Sequence, residues 1–234
     1  MEFDKKSKKG LAVKKRAFKL IVTAGPTREH LDPARFISNP STGKMGFAIA
    51  EAAALKGWEV YLVAGPVSLS TPKGVKRIDV VSARDMLAAV RETLSSGGSQ
   101  ALISAAAIAD WRPKKCSRQK LKKHQMGNVI ELVRNPDVLR TVNSQVRRKI
   151  LPPAKLIGFA AETQNIISEA QRKCREKGLE FVVANDISEE GSGFSSDTNR
   201  VSIVYKDGNV KDLSLMPKKD LAGIIVDEIS SLFL

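Results

Sequence analysis

FKLIVTAG (residues 18–25), SNPSTGKMGFAIAEAAALKG (38–57) and WEVYLVAG (58–65) read as a strand, a loop that opens a helix, and a second strand. The first and last are short apolar runs of the length of buried strands. In the middle segment Met45, Ala48, Ile49, Ala52 and Leu55 recur every three or four residues, the period of one helical face, and Gly57 supplies the stop. Strand, helix and strand in that order call for a parallel sheet covered by helices.

The alternation continues along the chain. Strands are expected at 76–81, 101–110, 155–162 and 180–186. Helices are expected at 83–94, from about Pro136, through Lys177 to a stop at Gly178, and from Pro217 onward. The segment SSGGSQ (95–100) reads as a surface loop. RVSIVY (200–205) and VKDLSL (210–215) flank Lys206-Asp207-Gly208-Asn209, a hairpin signal, so a small β-hairpin extension is expected near 200–214. The expected fold class is α/β, a Rossmann-like, doubly wound, mainly parallel sheet in one domain over 18–234, after a basic disordered tail at 1–17.

With 42% hydrophobic content in 234 residues the chain can bury a sizeable core. Cys116 and Cys174 form no CxxC pair, which excludes a disulfide scaffold or zinc knuckle and points to a reducing cytoplasm. No apolar run approaches the roughly 20 residues of a membrane span, so no membrane association is expected. The formal net charge of +14 is unevenly spread. The first 20 residues hold eight Lys and Arg against Glu2 and Asp4, a net of +6, and Arg112, Lys114, Lys115, Arg118, Lys120, Lys122 and Lys123 form a second block without an acid. Cations packed into one loop suit a polyphosphate ligand, and with 5% aromatic residues little material exists for stacking bases. No nucleic-acid partner is expected.

A doubly wound sheet binds its ligand beyond the carboxyl ends of its strands. The residues there are Gly25-Pro26-Thr27, 105–110, 159–163 and Asn185-Asp186. SNPSTGKMG (38–46) is no Walker A loop, which would need Gly at Ser38 and Ser or Thr at Met45. No GxGxxG follows the first strand, which weighs against an NAD(P)-dependent oxidoreductase. What remains is a set of donors, Asn39, Ser41, Thr42, Gly43 and Lys44, at the start of a helix whose N–H groups favour an anion. Capping by Ser41 or Thr42 is the alternative. The Asn39 amide can both donate and accept. His30 and His124 lack the neighbours of a metal site, and no GxSxG nucleophile turn occurs.

TAGPTREHLDPARFISNPSTGKMG (23–46), AAAIADWRP (105–113), KLKK (120–123), NPDVL (135–139), GFAAET (158–163) and VVANDIS (182–188) stand in the order and near the spacing of one family. From about Phe18 to the C-terminus the chain resembles phosphopantothenoylcysteine synthetase, or phosphopantothenate–cysteine ligase, of the bacterial CTP-dependent type, free-standing without the decarboxylase half. The resemblance implies activation of 4'-phosphopantothenate by CTP and Mg²⁺ to an acyl-cytidylate with loss of pyrophosphate, then displacement of CMP by L-cysteine. It implies a homodimer in the cytoplasm, with a flexible basic flap at about 111–134 that helps close the neighbouring subunit's site.

By the same resemblance Asn39 and Lys120 are the catalytic residues: Lys120 in forming the acyl-cytidylate, Asn39 in its conversion to product. Ser104, Ala105, Ala106, Asp110, Lys120, Pro136, Asp137, Val138, Leu139, Phe159, Lys173 and Lys177 match nucleotide contacts, with Phe159 beside the base. Asn39, Ser41, Thr42, Gly43 and Lys44 would bind the acid substrate. No metal ligands are assigned. A solvated helix face would also explain Lys173 and Lys177, four apart.

Overall fold

The computed structural model describes residues 18–122, 127–186, 193 and 196–234. The expected tail at 1–17 and His124 lie outside the described residues. The chain runs through β1 (Lys19–Ala24), β2 (Arg28–Asp32), β3 (Arg35–Ser38), α1 (Lys44–Leu55), β4 (Glu59–Ala64), β5 (Val75–Asp79) and α2 (Ala83–Ser95). Then follow β6 (Gln100–Ser104), β7 (Trp111–Pro113), β8 (Leu132–Arg134), α3 (Val138–Arg147), β9 (Lys155–Glu162) and α4 (Ile166–Lys177). β10 (Phe181–Asp186), β11 (Thr198–Tyr205), β12 (Val210–Pro217) and α5 (Lys218–Ser231) complete it.

The main sheet has the order β12-β11-β10-β9-β6-β1-β4-β5. β5 to β10 pair in parallel through β4, β1, β6 and β9, which is the doubly wound order with β1 and β6 at its centre. Every residue of β1 and β6 is buried, because strands covered by helices on both faces have no solvent side. The hairpin expected near 200–214 extends this sheet by two antiparallel strands rather than standing apart from it. α1 and α5 pack on one face around Leu20, Ile49, Phe181 and Ile225. α2, α3 and α4 pack on the other around Ile21, Met86, Leu139 and Cys174.

Two short antiparallel ribbons were not legible in the hydrophobic pattern. The stretch read as a polar loop between β1 and α1 contains the β2–β3 hairpin, turned by Asp32, whose carboxylate accepts from the amides of Ala34 at 2.8 Å and Arg35 at 2.9 Å. His30 therefore stands in a strand, with Nδ1 3.2 Å from the Asp32 carbonyl. The base of the expected flap is likewise the paired ribbon β7–β8. β6 ends at Ser104, earlier than the strand expected at 101–110.

Candidate active site

β1 leads to α1 on one face of the sheet and β6 leads to α3 on the other, so the carboxyl ends of these neighbouring strands part into a crevice. The crevice has a volume of about 410 Å³. Of the residues expected at the site, all except Lys120 line it.

Its floor is the segment after β6. Ala105 and Ala107 donate their amides to the Thr23 and Gly25 carbonyls at 3.2 and 2.9 Å. The buried hydroxyls of Thr23 and Thr27 accept from the amides of Ala106 at 3.3 Å and Ala109 at 3.0 Å. The segment thus continues along the end of β1 without joining the ladder as a strand, and its small side chains leave the backbone open to the cleft. Asn39 is fastened to this floor: Nδ2 donates to the carbonyls of Ala107 and Ile108 at 3.2 and 3.3 Å. Its donors are engaged, and Oδ1 is its remaining capacity.

The wall on the α1 side begins at Gly43, the N-cap of α1 at φ +80, a backbone conformation that glycine adopts freely. Neither Ser41 nor Thr42 is the cap. Ser41 instead accepts from the Gly43 amide through Oγ at 3.3 Å. A glycine cap has no side chain to satisfy the first-turn amides, and that turn, Lys44 to Gly46, lines the cleft. Lys44 pairs with Asp197 at 2.6 Å and holds that exposed carboxyl below its ordinary range. Phe159 packs with the core on this same face.

The opposite wall is α3 and α4. Asp137 caps α3 by accepting from the Arg140 amide at 3.0 Å and pairs with Lys177 at 2.8 Å. Burial opposes the Asp137 charge, but the amide and the lysine outweigh it and keep its carboxyl below the usual range. Lys173 pairs with Glu162 at the end of β9. Both lysines are about three-quarters buried, at 25% and 26% exposure, and so belong to the cleft rather than to a solvated helix face.

Four polar residues in the lining were given no role by the sequence reading. Asn135 ties the flap base to the floor, its Nδ2 donating to the Ala109 carbonyl at 2.8 Å and its Oδ1 accepting from Arg112 at 3.1 Å. Asn185 stands one residue before the end of β10, and among the described residues its buried Oδ1 accepts no hydrogen bond. Asn199 accepts from the Gly193 amide at 3.3 Å. Lys218 is buried at the start of α5 and donates to the carbonyls of Gly193 at 2.8 Å and Ser196 at 2.6 Å. Burial first, then Lys44, lowers its affinity for a proton, with Asp197 acting the other way. Asn185 was named at a strand end and Asn135 within NPDVL, each without a role; nothing local marks Lys218 or Asn199.

Lys120 is exposed in the flap, and the residues around it are bound to the β2–β3 hairpin instead of the cleft. Among the described residues no group of three or more His, Cys, Asp or Glu gathers as a metal site. Mg²⁺ that arrives with a nucleotide needs only one or two carboxylates besides phosphate oxygens and water. Asp110 on the rim fits that lesser demand. Among the described residues no helix is long and apolar enough to cross a membrane.

The model of the DNA/pantothenate metabolism flavoprotein C-terminal domain matches residues 16–233. The bifunctional coenzyme A biosynthesis protein CoaBC of Bacillus subtilis is 45% identical over 214 residues, which cover 91% of this chain and 51% of that protein. Its Haemophilus influenzae counterpart is 46% identical over 208 residues, 89% of this chain and 50% of that protein. The chain thus spans about half the length of the curated relatives it matches. The crystal structure of the C-terminal domain of a CoaBC protein superposes with a TM-score of 0.76 at 40% identity, over 92% of this chain and 95% of that one. The fold also recurs at a TM-score of 0.73 and 16% identity in a Cab2 mutant crystallised with phosphopantothenate-cysteine, over 93% of this chain and 86% of that one.

Proposed function

This chain belongs to the DNA/pantothenate metabolism flavoprotein C-terminal domain family, and on that premise we propose that it is a phosphopantothenate–cysteine ligase of coenzyme A biosynthesis. It activates 4'-phosphopantothenate with CTP to an acyl-cytidylate, releasing pyrophosphate, and L-cysteine then displaces CMP. The observation that supports this best is the convergence of separate stretches, 39–46, 104–110, 135–139, 159–161 and Lys173 with Lys177, on one two-walled cleft. Two walls suit a reaction of two large anionic substrates.

A carboxylate is a poor acylating agent at neutral pH, and the mixed anhydride supplies a leaving group. The protein's task is then to hold the two substrates in line and offset charge on the phosphates. Lys173, Lys177 and the start of α3 offer cations and helix amides to the nucleotide; Asn39 and 41–44 offer theirs to the acid substrate. Lys120 offsets charge in the first step, and Asn39 acts in the second. Asp110 would help hold the Mg²⁺ that comes with the nucleotide, and that ion would supply charge neutralisation at the phosphates. The enzyme works as a cytoplasmic homodimer and binds neither nucleic acid nor membrane.

The test is pyrophosphate release from the purified chain given 4'-phosphopantothenate and Mg²⁺, comparing CTP with ATP, each with and without cysteine. Sustained release that requires cysteine and runs faster with CTP is expected. No release with either nucleotide, from protein with a cooperative unfolding transition, would refute the ligase.

A further inference from the structure

Arg77 in β5 keeps only 19% of its side chain exposed, although it is a charged residue on an edge strand. All three of its side-chain nitrogens are engaged. Nε donates to Asp79 at 2.7 Å, Nη1 to the Leu69 carbonyl at 2.7 Å and Nη2 to the Val67 carbonyl at 3.4 Å. Its guanidinium carbon lies 5.4 Å from the centre of the Phe47 ring in the first turn of α1. One planar fork therefore ties the loop between β4 and β5 to the helix that opens the cleft.

That loop bears on the acid side of the cleft. Gly65 crosses the end of β1 so closely that a Cβ there would stand 1.7 Å from the Pro26 carbonyl oxygen, and its amide donates to the Ala24 carbonyl at 2.9 Å. Two residues on, Val67 Cγ1 lies 3.3 Å from where a Cβ on Gly43 would stand and 2.9 Å from where one on Gly25 would. Val67 thus fills the space behind the turn that opens α1, and Arg77 holds it there through its carbonyl and that of Leu69. Val67 and Arg77 are themselves outside the cleft lining, whereas Gly43 to Gly46 are in it. The first N–H groups of a helix favour an anion only where they are aimed at it, so whatever fixes the turn fixes the subsite.

We propose that Arg77 is a positioning residue for the acid substrate, clamping the β4–β5 loop so that Val67 backs the Gly43–Gly46 turn against the substrate's phosphate. This rests on the proposed ligase, in which 41–44 meet the acid. The phosphate is remote from the carboxylate that reacts, so the turn holds it alike before and during the reaction, and a loosened turn is read in KM rather than in kcat. Arg77→Met keeps an apolar stem and removes the fork. Its KM for 4'-phosphopantothenate should rise about 10-fold, while the nucleotide KM stays within about twofold and kcat within about threefold.

Val67→Ala empties the space behind the turn without touching the Arg77 side chain, and it should raise the acid KM in the same way. If Arg77 acts through Val67, the double variant has an acid KM no higher than that of the worse single variant. An unchanged acid KM in either single variant, a matching rise in the nucleotide KM, or multiplied losses in the double variant overturn the proposal. Should Arg77→Met lack a cooperative unfolding transition, Arg77→Lys takes its place, because it keeps the charge but not the fork that spans both carbonyls. The same pattern is required of it. A wild-type chain that releases no pyrophosphate refutes the ligase itself, and the clamp falls with it. Where the wild type turns over and both KM values are measured, the variants judge the clamp alone.

Discussion

Gly46→Ala sets a local preference against a packing constraint, and the structure decides which wins. Gly46 lies inside α1, where alanine is the better helix former by about 1 kcal/mol. A Cβ there would stand 2.5 Å from the Ala24 Cβ and 3.1 Å from both the Ala24 Cα and the Thr23 carbonyl oxygen. Two of those three are backbone atoms of the buried central strand, so no rotamer change relieves them. Overpacking of a rigid core costs about 1–3 kcal/mol, and contact with backbone places this case near the upper end. Net destabilisation is then about 1–2 kcal/mol, or a fall of roughly 2–8 °C in melting temperature for a chain of this size. The relief available is a shift of α1 away from β1, and that shift carries the Gly43–Lys44 turn out of the cleft, so pyrophosphate release should drop about 10-fold or more. Thermal unfolding followed by circular dichroism, with the release assay alongside, measures both. A melting temperature equal to or above wild type would show that the helix is not seated on backbone as described.

Asn39→Asp places a carboxylate against the carbonyls of Ala107 and Ile108, both of which lose a donor. Acyl-cytidylate should accumulate while product formation falls on the order of 100-fold, as measured by rapid quench with labelled nucleotide. Lys177→Met removes a partly buried cation from the α3–α4 wall and should raise the nucleotide KM about 10-fold while leaving the acid KM near its wild-type value. Steady-state titration of each substrate distinguishes the two. Acid stability follows from Asp137 and Glu180, in which burial opposes the charge but hydrogen bonds and lysines outweigh it. Their folded pKa values lie below the ordinary 3.8 and 4.5, so their contribution is complete at neutral pH and is lost as pH falls through and below those values. Urea midpoints should therefore decline below about pH 4.5, and Lys177→Met should flatten part of that decline.

The sequence was most legible where a single window of residues carries the whole signal. β9 was expected at 155–162 and occupies Lys155–Glu162, and α2 was expected at 83–94 and occupies Ala83–Ser95. The turn before β12 was marked by Asp207-Gly208, and Asp207 Oδ1 indeed accepts from the Asn209 amide at 3.0 Å. Apolar alternation, capping and turn chemistry act within a few residues, and such signals survive without knowledge of the partner. The β2–β3 and β7–β8 ribbons lacked that advantage. Each is short and carries charge, and each is stabilised by pairing and by contacts with distant segments, such as that of Glu29 in β2 with the Ala83 amide at the start of α2.

For the cleft, the sequence by itself determined the parallel sheet, the polar strand ends and the anion-favouring turn before α1. Tertiary structure alone decided which residues meet. Lys218 and Asn199 join Lys44 because the C-terminal hairpin is paired against β10, placing α5 beside α1. Gly43 rather than Ser41 or Thr42 caps α1 because the turn runs against Gly25 and Val67, with a Cβ on Gly43 3.3 Å from each. Lys120 stands outside its own cleft because Asp32 and Arg35 hold its neighbour. Local propensity is encoded residue by residue, whereas convergence depends on strand order and register, which arise only when distant segments bury their apolar faces together.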